Sequence, residues 1–473
     1  MAHKTSIVMN STKPIRGVRS KINFPTKLFC FSLAVEPLMF FVLTDPNQTG
    51  SSLTLSRLLQ ILVGLYLVAF VVQKRLFLPN PLYKFYMLYS SYIVVGLFSS
   101  VLGAVFYDSY SLSSSGANMD ASTVAAQILR GTYIRPFIEI LISVYYFGYF
   151  VVAPRYVIKS TVELKYLMDL IVNIFKFSLF FGVLDVLQFL VTGINFIPRH
   201  LVDSSYIELG TRYHGIAGEP RDAFPYLLFG LAIYFLRSAL FQQTPPSKGV
   251  IFLTAFALLL TQSASGIIGV GLALCIYILA ELKMSFVRLA KISGVLVIAI
   301  SIAAAVVLNT DRVLAYVVAA EGLFDILMAG DKLHPAMLAQ SPNIFPLWQI
   351  FLNLKDLNLF PVIFGSGVGS ASFISNNLGG TNELANPHSN AVRLFFEVGI
   401  LGAWLYLASQ LLLIRRLKTI LGTALGQKFY YLAILLMGAC LGHRSATIFI
   451  LCGVALAIVS NQHAVIKFRS LSK

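Results

Sequence analysis

Apolar runs long enough to cross a lipid bilayer recur along this sequence from one end to the other. A helix that spans hydrocarbon needs about 20 mostly apolar residues. Windows of roughly that length fall near 28–44, 57–73, 86–106, 132–153, 166–191, 223–241, 249–263, 264–281, 292–308, 388–413, 429–442 and 445–461. The residues are 57% hydrophobic and only 12% charged, with a mean hydropathy of +0.78. A soluble domain cannot cover that much apolar surface, so lipid is the expected solvent. The expected fold class is an all-α polytopic membrane protein of about twelve transmembrane helices. A basic tail (1–27) precedes helices 1–9 (28–308). A large outer loop (309–387) follows, then helices 10–12 (388–461) and a short tail (462–473). The windows at 249–263 and 264–281 abut and read as a tight hairpin.

Positive charge sets the orientation. With both termini cytoplasmic, inner loops and tails hold 24 of the 36 Lys/Arg, and the outer side holds 11. That bias matches the positive-inside rule. The first 27 residues carry six Lys/Arg and no acid, with no small-residue cleavage site after the first apolar run, so no cleavable signal is expected. The outer bases differ in kind as well as number. They are nine arginines (57, 130, 135, 199, 212, 221, 312, 393, 444) and only two lysines, Lys332 and Lys355. Topology asks only for charge, whereas a guanidinium fork grips phosphate or carboxylate at two points. Two readings stay open for each arginine: pairing with a nearby acid, or anion binding as part of an outer-face group.

Within that frame a few clusters carry chemistry. Asn386-Pro387 reads as a helix start, which puts His388 in the first turn of the tenth helix. The positive end of the helix dipole keeps such an imidazole neutral and able to accept a proton. The plainer alternative is a histidine that only caps the loop. Arg393 and Glu397, four apart, can pair on one helix face. Arg212, His214, Glu219 and Arg221 crowd the approach to the sixth helix, as a pyrophosphate site or as a self-solvating loop. The Thr261–Gly266 stretch, with Ser263, reads as an interhelical turn more readily than a head-group site. The Gly365, Gly367 and Gly369 series has no β-α-β pattern around it, so it reads as a flexible turn rather than a dinucleotide loop. Glu36, Glu139, Asp169 and Asp185 fall inside apolar windows and are functional candidates by default, including for a transporter's coupling site. Glu139 also stands four residues after Arg135. The four cysteines (Cys30, Cys275, Cys440, Cys452) lie in apolar segments and read as buried thiols, not disulfides or zinc ligands. No Walker loop and no outer Asp-x-Asp pair is present, so neither a nucleotide, a metal nor another cofactor is expected.

His388-Ser389, nine residues, then Gly399-Ile400-Leu401-Gly402 resembles the His-[Asn/Ser/Gln]-x9-Gly-x-x-Gly pattern of the O-antigen ligase and polymerase superfamily. The preceding glycine series, Arg212 with Gly215, Glu219-Pro220, and Thr261 with Ser263 and Gly266 are similar to that family's other elements, in its order. Ala264 stands where the family often has arginine. The resemblance covers roughly residues 200–410 and implies a GT-C-like membrane glycosyltransferase. Its donor would be a glycan on undecaprenyl pyrophosphate, transferred with inversion at the periplasmic face of the bacterial inner membrane, without a metal. The resemblance makes His388 the base and Arg212 a second catalytic residue. Arg135, Arg221, Arg312, Arg393, Arg444, His214, Glu219 and Ser263 would then be substrate-binding. The expected activity is polymerisation of oligosaccharide repeats into O-antigen, capsule or exopolysaccharide. Ligation of finished glycan to lipid A-core and flipping of lipid-linked oligosaccharide are the alternatives. Expected partners are membrane lipid and the chain-length regulator and flippase of the same pathway, with no nucleic acid.

Overall fold

The computed structural model describes residues 22–38, 55–74, 83–106, 134–195, 197, 212–217, 220–281, 350, 353–370 and 389–460. Among these residues the chain is helical, with no strand. In chain order the helices are α1 (Phe24–Val35), α2 (Leu55–Lys74), α3 (Tyr83–Phe106), α4 (Ile134–Tyr145), α5 (Ala153–Val157), α6 (Thr161–Thr192), α7 (Pro220–Phe241), α8 (Lys248–Leu260), α9 (Ala264–Ala280), α10 (Leu359–Phe364), α11 (Asn390–Leu421), α12 (Ala424–Gly442) and α13 (Thr447–Ser460). A π-helical stretch, Tyr146–Val152, joins α4 to α5. Helices stand at eleven of the twelve expected positions. The window at 292–308 and most of the expected outer loop lie outside the described residues. Five helical stretches are long and apolar enough to cross a bilayer: Pro136–Val157, α6, α7, α11 and α12. The count becomes six if α8 and α9, bent by 117° at their junction, are one broken span.

Local sequence sets the ends of these helices. Ser160 and Glu163 form a reciprocal capping box at the start of α6, and Gly193 closes it in the left-handed conformation. Thr423 caps α12 through the Gly426 amide. α1 is shorter than the 28–44 window. It stops at Val35 because Pro37 lacks the N–H that would continue the helical ladder.

At the centre is α12, which packs against α7, α9 and α11. Its Gly438 lies so near α9 that a Cβ there would stand 2.1 Å from the Gly269 carbonyl oxygen. Small residues let membrane helices approach at backbone distance in this way. α13 is buried on every face from Thr447 to Val459, as expected of a helix apolar all round. It leans on the π-helical stretch, where a Cβ on Gly453 would be 1.9 Å from the Phe150 carbonyl oxygen. Three cysteines are buried, but Cys275 is exposed, which corrects its reading as a buried thiol. The apolar windows mark spans, not which side of a span faces out.

One helix is broken on purpose-built contacts. Gly399 in α11 has φ 65° and ψ −174°, outside helical space. The carbonyls released there are taken up by other segments. Ser366 N–H donates to Phe396 O (2.8 Å) and Gly367 N–H to Glu397 O (3.0 Å). The Ser99 hydroxyl of α3 also donates to Glu397 O (2.6 Å). The glycine series at 365–369 is therefore not a free turn. It is the brace that satisfies the broken helix.

The helix ends fall into two groups. At one end, Asn390 at the start of α11 donates to Cys440 O near the end of α12 (2.9 Å). Tyr213 N–H, ahead of α7, donates to Leu260 O at the end of α8 (2.9 Å). His443, after α12, meets Asp222 in the first turn of α7 (2.9 Å). At the opposite end, Lys418 of α11 pairs with Glu281 after α9 (3.0 Å), and Arg237 of α7 pairs with Asp169 of α6. Among the described residues, the starts of α7 and α11 thus gather with the ends of α8 and α12 at the first end.

Candidate functional site

A tetrad of charges, two buried carboxylates with two part-buried arginines, sits at that first end. Arg393, one turn into α11, reaches Glu139 of α4 through Nη2 (2.8 Å) and Glu397 through Nε (3.0 Å). Arg444, between α12 and α13, reaches the same Glu139 oxygen through Nη1 (2.9 Å). One carboxylate thus holds two guanidiniums, and Arg393 bridges two carboxylates. The Glu397 carboxylate also accepts from the Gly369 amide. Burial disfavours the Arg444 charge, but the Glu139 carboxylate outweighs it and holds the group firmly protonated. The Arg444 side chain is 34% exposed against 14% for Arg393. Arg444 is therefore the more accessible of the two guanidiniums.

Beneath the tetrad is a cavity of about 50 Å³, lined by Tyr89, Tyr92, Tyr146, Tyr406 and Asn390. That is room for a few waters, not for a sugar. The tetrad faces it with a π-helical turn on one wall, a winding often found at functional sites.

Two further clusters lie toward the same end of the bundle. The Asp185 carboxylate accepts from Asn195 Nδ2 (2.7 Å) and from the Ile197 amide (2.8 Å). His214 Nε2 lies 3.3 Å from the same carboxylate, and its Nδ1 is 2.9 Å from Gly215 O. Arg212 donates through Nε to Thr261 O (3.2 Å) and through Nη2 to Gln262 O (3.5 Å). It therefore holds the carbonyl end of α8, where a cation is favoured by the helix dipole. Gln262 is left-handed there, at φ 47°. Ser263 starts α9 by accepting from the Gly266 amide (3.2 Å). The Thr261–Gly266 stretch is thus an interhelical turn tied to the segment that carries Arg212.

Arg212, His214 and Ser263 stand on two segments locked together, and Arg393 and Arg444 share Glu139. Arg221 lies in the first turn of α7, beside Asp222. His388, Glu219 and Arg312 lie outside the described residues, as does the Arg135 side chain. The helix start next to His388 is corrected: Ser389 caps α11 by accepting from the Val392 amide (3.5 Å), so the helix begins at Asn390 and not at Pro387. Serine caps as well as asparagine, so both signals stood in the sequence. His388 then precedes the cap instead of sitting in the first turn.

Sequence reasoning missed the shared role of Glu139 and the Asp222–His443 pair. The outer-side bias toward arginine flagged Arg444, but its partner lies 305 residues away in the chain. Among the described residues no cluster of three or more His, Cys, Asp or Glu could hold a metal.

Replacing Arg212 with lysine tests its part. An ammonium cannot reach both carbonyls with a planar fork. We expect the activity proposed for this site to fall about tenfold or more, with a thermal midpoint within a few degrees of wild type. Unchanged kinetics would remove Arg212 from the site. Comparison with protein-family models gives no match, and comparison with curated proteins gives none.

Proposed function

We propose that the chain is a glycosyltransferase that joins oligosaccharide repeats carried on undecaprenyl pyrophosphate, as an O-antigen, capsule or exopolysaccharide polymerase. The single observation that supports this reading best is the pair of arginines held on one buried carboxylate at the mouth of α11. Those guanidiniums suit a pyrophosphate, and the helix start beside them follows directly on His388. In the proposed reaction an acceptor hydroxyl oxygen attacks the anomeric carbon as His388 takes its proton. The bond from that carbon to the phosphate oxygen breaks with inversion, and undecaprenyl pyrophosphate leaves with the electron pair. Preorganised arginines stabilise the charge that develops on it. The setting proposed with this chemistry is a twelve-span inner-membrane protein with cytoplasmic termini and residues 309–387 in the periplasm.

The test is incubation of the purified chain with lipid-linked repeat units. A ladder of longer glycans is expected. Transfer only to added lipid A-core would make the chain a ligase. Labelled lipid crossing a vesicle bilayer, with no new product, would make it a transporter. His388→Ala is expected to reduce the ladder at least about a hundredfold while the helical signal stays intact. Wild-type chain lengths from that variant would sink the base assignment.

A further inference from the structure

The opposite end of the bundle holds a second feature. A groove of about 940 Å³ runs between the start of α3, the end of α9 and the second half of α11. Its floor is apolar, with Leu279, Trp404 and Leu411, and Leu279 and Trp404 are exposed. Its rim is basic: Lys84, Arg415 and Arg416 line it, and among the described residues no acid does. All three bases are exposed. Arg415 also reaches the Tyr430 hydroxyl, and Glu281, the acid after α9, is taken by Lys418 at 3.0 Å.

Length and charge together select the occupant. From Trp404 to Thr419 the groove follows α11 for about 22 Å at ~1.5 Å per residue. Half a bilayer with its headgroup zone is about 20–22 Å. The groove thus has an apolar depth for acyl chains and positive charge where a headgroup phosphate would lie. Basic pockets between membrane helices select anionic headgroups in this way. It is separate from the tetrad, since Arg393 and Arg415 stand on the order of 30 Å apart along α11.

We propose that this groove binds an anionic glycerophospholipid of the surrounding leaflet, with its chains on the apolar floor and its phosphate between Lys84, Arg415 and Arg416. The site does not depend on what the chain transfers.

The test is native mass spectrometry of delipidated full-length protein in detergent, with equal dioleoyl phosphatidylglycerol and dioleoyl phosphatidylcholine. Retention of phosphatidylglycerol is expected to exceed that of phosphatidylcholine by about tenfold. Lys84→Gln with Arg415→Gln and Arg416→Gln should bring the two within about twofold of each other. Arg416→Gln alone should shift the preference part of the way, which keeps the test decisive if the triple variant does not fold. Ala408→Trp, which fills the groove, should lower retention of both lipids. Equal retention by the wild-type protein, or a preference that survives loss of the bases, overturns the proposal.

Discussion

Arg393→Ala should destabilise the folded protein by about 3–5 kcal/mol, the cost of breaking a buried ion pair from one side. The reason is what the substitution leaves behind. Glu397 keeps its place in the interior without its counter-ion, and Glu139 retains Arg444 but loses the less exposed of its two arginines. Thermal unfolding in detergent reads this directly. Adding Glu397→Gln to Arg393→Ala should recover roughly half of the loss, because the two changes act on one contact and do not add. Two substitutions whose effects simply sum would mean that Arg393 and Glu397 do not depend on each other. The proposed glycan transfer should vanish in the single variant even at temperatures where it remains folded.

The second large effect belongs to Gly399→Ala. Its φ of 65° is disfavoured for an L-residue. A Cβ there would also stand 2.3 Å from the Ile363 carbonyl oxygen, which is backbone and cannot swing away. Strain and collision together are expected to cost about 4 kcal/mol or more. Gly402→Ala is the control. Its Cβ would meet the Val398 side chain, at 2.6 Å, in ordinary helix. Side-chain overpacking of that kind costs about 1–3 kcal/mol. Equal loss in the two variants would mean that α11 is not broken at Gly399.

Both glycines carry the resemblance in the sequence, yet their roles could not be told apart there. Apolar length is visible in a sequence because each span must cover the same thickness of lipid, so the helices at 57–73 or 223–241 were legible. The break at Gly399 was not, because it is set by a brace from Gly365 to Gly369 that lies far off in the chain. Charge pairs divide in the same way. Arg393 with Glu397 follows from helical spacing alone. Glu139 with Arg444 needs two distant helices to meet, and no local pattern encodes that. The cap at Ser389 was obscured for a different reason: Asn386-Pro387 offers an equally good helix start three residues earlier.

The π-helical stretch also limits which changes this chain can accept. Glu139 stands before it on the same continuous helical run, and Phe150 within it is pinned against Gly453 of α13. Inserting or deleting one residue between them would turn Glu139 about the helix axis by about 100°. Both arginines would then lose their carboxylate in a single step. Substitutions along this stretch alter one side chain at a time, whereas a change in its length reorients everything that precedes it. Here the count of residues, more than their identity, is what the fold holds constant.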